Sequence, residues 1–199
     1  TLNALGIGRN DRVAIVLANG PEMATCFLSA ACGVATAPLN PAYRADEFEF
    51  YLSDLNAKAL VVEHDSTSPA IAVARKLGVR LIDLHALERA GDFELRPREA
   101  AAASAPAAGG MAQPGDLSML LHTSGTTSRP KIVPLSQANL VASAQNIART
   151  LEFTASDRGL NIMPLFHIHG RIAGVLAPLS AGSQVFCTPG FNALKFFGW

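Results

Sequence analysis

Val13-Ala14-Ile15-Val16-Leu17, then Asn19-Gly20-Pro21, then residues 22–32, is the stretch from which the fold is read. An unbroken apolar run of this length is what a strand buried on both faces shows, because neither face needs a polar residue. The Asn-Gly-Pro turn ends the strand. Pro21 suits the first turn of a helix, where its missing N–H would have had no partner. Residues 22–32 are largely small and are expected to form that helix. Strand, tight turn and helix in this order open a βαβ unit.

The same rhythm continues outward. Over residues 45–56, Phe48, Tyr51, Leu52 and Leu55 fall at i, i+3, i+4 and i+7, one apolar helix face. Residues 59–62 read as a strand, 70–77 as a helix and 79–82 as a strand. Residues 96–116 break the pattern with Ala100-Ala101-Ala102-Ala103, Pro106, Gly109, Gly110, Pro114 and Gly115. They read as a surface connection between a first segment, 1–95, and a second, 117–199. In the second segment strands are expected at 117–121, 132–133, 160–163 and 184–187. Helices are expected at 137–151, with Ser136 as N-cap, and from about residue 170. Residues 191–199 also read as helical. The whole is an α/β class chain with mostly parallel sheets and flanking helices.

Composition narrows the function. The chain has 199 residues, 49% hydrophobic and 16% charged, with 16 basic and 16 acidic residues. That balance argues against a disordered tail and against nucleic-acid binding by bulk charge. Cys26, Cys32 and Cys187 form no C-x-x-C pair, so neither a disulfide framework nor a zinc module is expected. They read as core fillers in a reducing compartment, cytoplasmic, or peroxisomal in a eukaryote. Residues 23–43 and 172–194 carry no charge, but Pro38, Pro41, Pro178 and Pro189 interrupt them, so no membrane span is expected. Thr1-Leu2-Asn3-Ala4-Leu5-Gly6 lacks the pattern of a signal peptide. With no initiator Met and a helix-like end, the sequence reads as a piece of a longer chain.

The chemistry concentrates in Leu120-Leu121-His122-Thr123-Ser124-Gly125-Thr126-Thr127-Ser128-Arg129-Pro130-Lys131. Thr123, Ser124, Thr126, Thr127 and Ser128 supply hydroxyls between a strand and a lysine, and Gly125 leaves the backbone free to turn its N–H groups inward. Such a loop can surround phosphate oxygens, with Lys131 as a point charge. It is not a Walker A loop, which needs G-x-x-x-x-G-K-[ST]. By composition alone a Ser/Thr-rich surface turn explains it as well.

Residues 123–131 resemble the phosphate-binding signature of the adenylate-forming superfamily of acyl-CoA synthetases, peptide-synthetase adenylation domains and luciferases. Its common form is [ST]-[SG]-G-[ST]-[ST]-G-x-P-K. Ser128 stands where the family usually has Gly, and Ile132 where a Gly commonly follows the lysine. A β-branched Ile132 requires strand dihedrals and room for its side chain. Met163-Pro164-Leu165-Phe166-His167-Ile168-His169-Gly170 is similar to the family's P-[LM]-[FY]-H-x-x-G segment, which lines the acyl pocket. His167 and His169 alternate and make a poor pair for one metal, so no metal site is expected. Residues 33–41 with Glu47 and Phe50-Tyr51-Leu52-Ser53-Asp54 also resemble the family and read as scaffold. Arg129, Asp157 and Arg171 read as solvated. The finer resemblance is to oxalate–CoA ligases and their relatives.

The resemblance implies two steps, in which ATP activates a carboxylic acid to an acyl-adenylate and coenzyme A then takes the acyl group. It implies Mg2+ with the ATP. It assigns phosphate binding to Thr123, Ser124, Gly125, Thr126, Thr127, Ser128 and Lys131, catalysis to Lys131, and the substrate pocket to His167. The family's later aromatic-Gly-x-[ST]-E, T-G-D and C-terminal lysine motifs have no counterpart among these residues. The piece is therefore expected to form part of the large N-terminal domain, to expose apolar surface where the remainder packs, and not to complete the reaction alone. A carrier-protein thiol as acceptor, or a non-catalytic nucleotide-binding module, remain open alternatives at this point.

Overall fold

The computed structural model describes residues 1–100, 102–123 and 130–199. Its strands are β1 (Arg12–Val16), β2 (Ala35–Pro38), β3 (Ala59–Glu63), β4 (Arg80–Ala86), β5 (Phe93–Pro97), β6 (Leu117–Thr123), β7 (Lys131–Ser136), β8 (Arg158–Asn161) and β9 (Gln184–Cys187). The first seven form one sheet in the order β5-β4-β3-β1-β2-β6-β7, and β8 and β9 form a separate parallel pair. The inner strands β4, β3, β1, β2 and β6 run parallel, while β5 and β7 close the two edges antiparallel.

Helices α1 (Pro21–Ala31), α2 (Ala45–Asp54) and α3 (Pro69–Lys76) connect the parallel strands. One sheet face carries Ala14, Val16, Leu60, Val62 and Leu81 against Phe48 and Leu52 of α2, nearby Leu55, and Ile71 and Val73 of α3. The other carries Val13, Ile15, Val61 and Ile82 against Met23, Ala24, Cys26 and Ala30 of α1. With helices on both faces, the central strand must be apolar throughout, as residues 13–16 are.

A third cluster joins Phe27, Met119, Leu140 and Ile172 where α4 (Gln137–Thr150) packs. Ser136 is the N-cap of α4: its hydroxyl accepts from the Asn139 N–H at 3.2 Å, and Asn139 Oδ1 accepts from the Ser136 N–H at 3.0 Å. Ser136→Ala is expected to cost about 1 kcal/mol. The check is the denaturant midpoint of the complete protein; an unmoved midpoint would mean the cap contributes nothing. After β8 the chain enters α5 (Ile168–Arg171), a π-helical turn (Ile172–Leu176) and α6 (Ala177–Ser180).

Several local expectations need correction. Residues 35–38, within the segment read only as scaffold, form a buried strand, and residues 93–97, given no element, form an edge strand. The strand expected at 160–163 ends at Asn161, whose Oδ1 accepts from the Met163 N–H at 3.1 Å and turns the chain. Residues 191–199 hold only a short 3-10 turn at Phe196–Gly198. Cys26 is fully buried, and burial pushes its thiol up to about 12. Cys187 is half-buried, but Cys32 is exposed as the C-cap of α1 and is no core filler. Exposed Phe186, Phe191, Leu194 and Phe197 give the end of the chain an apolar surface. Among the described residues no helix is long and apolar enough to cross a membrane.

Candidate functional site

Because β6 runs parallel to β2, the carboxyl ends of both strands meet at one edge of the sheet. A cleft of about 310 Å³ opens there, and it includes Asn40, Tyr43, Tyr51, Thr123, Phe166 and His167. Clefts outside the carboxyl ends of parallel strands are where open α/β sheets bind ligands.

Thr123 ends β6 and Lys131 begins β7, paired across the hairpin. Both are exposed, so the base of the loop stands clear of the core with a hydroxyl on one strand and an ammonium on the other. Ser124, Gly125, Thr126, Thr127, Ser128 and Arg129 lie outside the described residues. Ile132 pairs with His122 in β7 and packs half-buried against the core, which gives its β-branched side chain the extended backbone it needs.

His167 also lines the cleft. It is the N-cap of α5, and its Nδ1 accepts from the His169 N–H at 3.4 Å. Thr123 and His167 line the same cleft; Lys131, on the far strand of the hairpin, is not among its lining residues.

The loop carrying His167 is held from three sides. Asn19, in the turn after β1, accepts from the Leu165 N–H at 2.6 Å and donates to the Thr188 carbonyl at 2.8 Å. Asn161 donates to the Gly170 carbonyl at 3.1 Å. Arg171 donates through Nη1 to the carbonyls of Leu165 and Phe166, each at 3.1 Å.

Arg171 is thus no solvated side chain. It is fully buried, its guanidinium 5.3 Å from the Phe27 ring centroid, with Nε and Nη2 lacking a partner among the described residues. Burial pushes its pKa below the ordinary guanidinium range. Asp157 is exposed, as expected, and accepts from the Thr154 N–H at 2.6 Å.

His122, which carries no signal of its own in the sequence, joins the site. Its Nε2 lies 2.9 Å from Asp54 Oδ2, its ring meets Tyr51 edge-on at 4.6 Å, and its side chain is only 6% exposed. The segment read as scaffold therefore also braces the base of the hydroxyl-rich loop. Tyr43 stacks on Tyr51 at 4.8 Å, and burial, with Tyr51 beside it, raises the Tyr43 phenol above its ordinary range.

Comparison with known proteins shows the family. The model of the AMP-binding enzyme family matches residues 1–198. The "Probable CoA ligase CCL9" of Humulus lupulus is 43% identical over 186 residues, 92% of this chain and 35% of that protein. The oxalate–CoA ligase of Arabidopsis thaliana is 41% identical over 181 residues, 90% of this chain and 35% of that protein. ATP-bound MatB from Rhodopseudomonas palustris superposes with a TM-score of 0.79 at 26% identity, over 99% of this chain and 39% of that one. The chain thus spans little more than a third of each of these three proteins.

Proposed function

This chain belongs to the AMP-binding enzyme family, and from that premise we propose that the complete protein is an AMP-forming acid–CoA ligase, to which this chain supplies the phosphate-binding loop and one wall of the acyl pocket. The carrying observation is the pairing of Thr123 with Lys131 at the base of one hairpin, with Thr123 and His167 lining one cleft at the sheet's carboxyl edge.

In the proposed first step a carboxylate oxygen attacks the α-phosphorus of ATP. The α–β phosphoanhydride bond breaks, giving acyl-adenylate and pyrophosphate. The carboxylate is a nucleophile already, so the step needs positioning and charge neutralisation rather than a base. Lys131, exposed at the start of β7, offsets charge on the departing pyrophosphate. Thr123, and with it Ser124, Gly125, Thr126, Thr127 and Ser128, hold the phosphates through hydroxyl and backbone donors. His167, its Nδ1 tied to the α5 backbone, shapes the acyl side. Mg2+ bound with the triphosphate would shield its charge; none of the described residues is assigned to it. In the second step the sulfur of coenzyme A attacks the acyl carbonyl, AMP leaves and the thiol proton is released.

The names of the relatives support coenzyme A as acceptor, and oxalate is the first acid to try. The exposed Phe186, Phe191, Leu194 and Phe197 are the surface on which the remainder of the protein packs. With 18O in the carboxylate of the acid, one label is expected in the AMP phosphate and the acyl-CoA is expected by mass. AMP without label would contradict adenylate formation.

A further inference from the structure

A second cleft opens at the same edge of the sheet, away from the loop. From β1 the chain passes to β2 on one side, then returns to β3 on the other. α1 packs on one sheet face, and α2 and α3 on the opposite face. The connections leaving β1 and β3 therefore part, and between them lies a crevice of about 380 Å³ that includes Asn19, Glu22, Glu63, His64, Asp65 and His85. Such a topological switch point is the expected ligand position in an open α/β sheet. Its charged lining is acidic, with no lysine or arginine among the described residues.

Three potential ligands converge beside it: His64 and His85 from its lining, and Asp83, which neighbours them but is not a lining residue. Asp83 and His85 are two apart on β4 and so share one face of the strand. Glu63 pairs with Leu84, and one residue on, the His64 N–H donates to the Leu84 carbonyl at 3.0 Å, which sets His64 abreast of His85. The two rings lie 4.1 Å apart, tilted by 31°. Asp83 Oδ2 is 3.6 Å from His64 Nδ1, and one ligand atom from each of the three residues falls within 4.8 Å of the others.

Asp83 is buried and held by Arg98. Arg98 Nε bonds both of its oxygens at 2.8 and 3.0 Å, and Nη2 bonds Oδ1 at 2.5 Å. Oδ2, the oxygen less occupied by Arg98, is the one nearer His64. The His64 side chain is 54% exposed and has room to rotate toward a shared ion.

We propose that His64, His85 and Asp83 bind one divalent transition-metal ion of the zinc, nickel or copper class. Two imidazoles and a carboxylate form the N,O donor set these ions prefer, while Mg2+, which favours oxygen ligands and keeps its waters, is a poor match. Bonds of about 2.0–2.2 Å require the ligand atoms to draw closer by roughly 1 Å, within reach of side-chain rotation. A bound ion would clip the end of β3 to β4. β1 and β2 separate this site from β6 and the phosphate loop, so the site is independent of the proposed ligase chemistry.

The test is calorimetric titration of the chelator-treated complete protein with Zn2+, in parallel with His64→Ala and His85→Ala. One equivalent is expected to bind the unaltered protein, with affinity reduced at least tenfold in each variant. Cu2+ added to the unaltered protein is expected to give an electron paramagnetic signal with nitrogen hyperfine structure that each variant loses. Circular dichroism confirms that the variants fold, and His85→Asn replaces His85→Ala if the latter does not. Superimposable Zn2+ titrations of the unaltered protein and the folded variants would overturn the proposal.

Discussion

Lys131→Ala in the complete protein is expected to slow acyl-adenylate formation by about 10²–10³-fold, the usual effect of removing one preorganised charge from a developing anion. Lys131 opens an edge strand and is exposed, so no core contact is lost with it. The unfolding midpoint should therefore stay within the range of a surface substitution, about 0.5 kcal/mol. Lys131→Arg keeps the charge with a different shape and is expected to recover part of the rate. The measurement is pyrophosphate release in a single turnover, with ATP and acid saturating. An unchanged rate in a folded Lys131→Ala protein would remove Lys131 from the chemistry.

Gly170→Ala is expected to destabilise the complete protein by about 2–3 kcal/mol, the opposite sign to the usual effect of alanine in a helix. Gly170 lies in α5, where alanine ordinarily gains about 1 kcal/mol. Here a Cβ would overlap the Pro164 carbonyl oxygen and stand 3.0 Å from the Pro164 carbonyl carbon and 3.2 Å from the Met163 carbonyl oxygen. These are backbone atoms of the loop that Asn19, Asn161 and Arg171 already fix, so the loop cannot yield cheaply. The same substitution displaces the wall bearing His167, and the KM for the acid should rise as well. A Tm equal to or above that of the unaltered protein would show that the loop is not held as described.

Much of the architecture was legible because it is local. The apolar run at residues 13–17 is buried on both faces, and Phe48, Leu52 and Leu55 form the inner face expected of α2. Ser136 caps α4 as its side-chain chemistry dictates. β2 escaped notice because Ala35-Thr36-Ala37-Pro38 has neither bulk nor alternation, and only burial between β1 and β6 makes it a strand. Phe93-Glu94-Leu95-Arg96-Pro97 does alternate, and that signal was available.

The candidate site divides in the same way. The hydroxyl-rich loop and the Pro164–Gly170 motif are contiguous and readable. The braces are not: Asp54 meets His122 across 68 positions, and Asn19 meets Leu165 across 146. Arg171 reads as solvated because an arginine almost never is fully buried. Only the loop carbonyls and Phe27 around it make its position intelligible. His64, Asp83 and His85 become one cluster only through the register of β3 against β4.

Exchange of labelled pyrophosphate into ATP by the complete protein, with a carboxylic acid present and coenzyme A absent, tests the central claim most directly. Exchange is expected to require the acid, oxalate first among a panel, and to collapse in Lys131→Ala. An enzyme that forms its thioester but shows no acid-dependent exchange with any acid it uses would contradict the proposed adenylate and the role assigned to the loop.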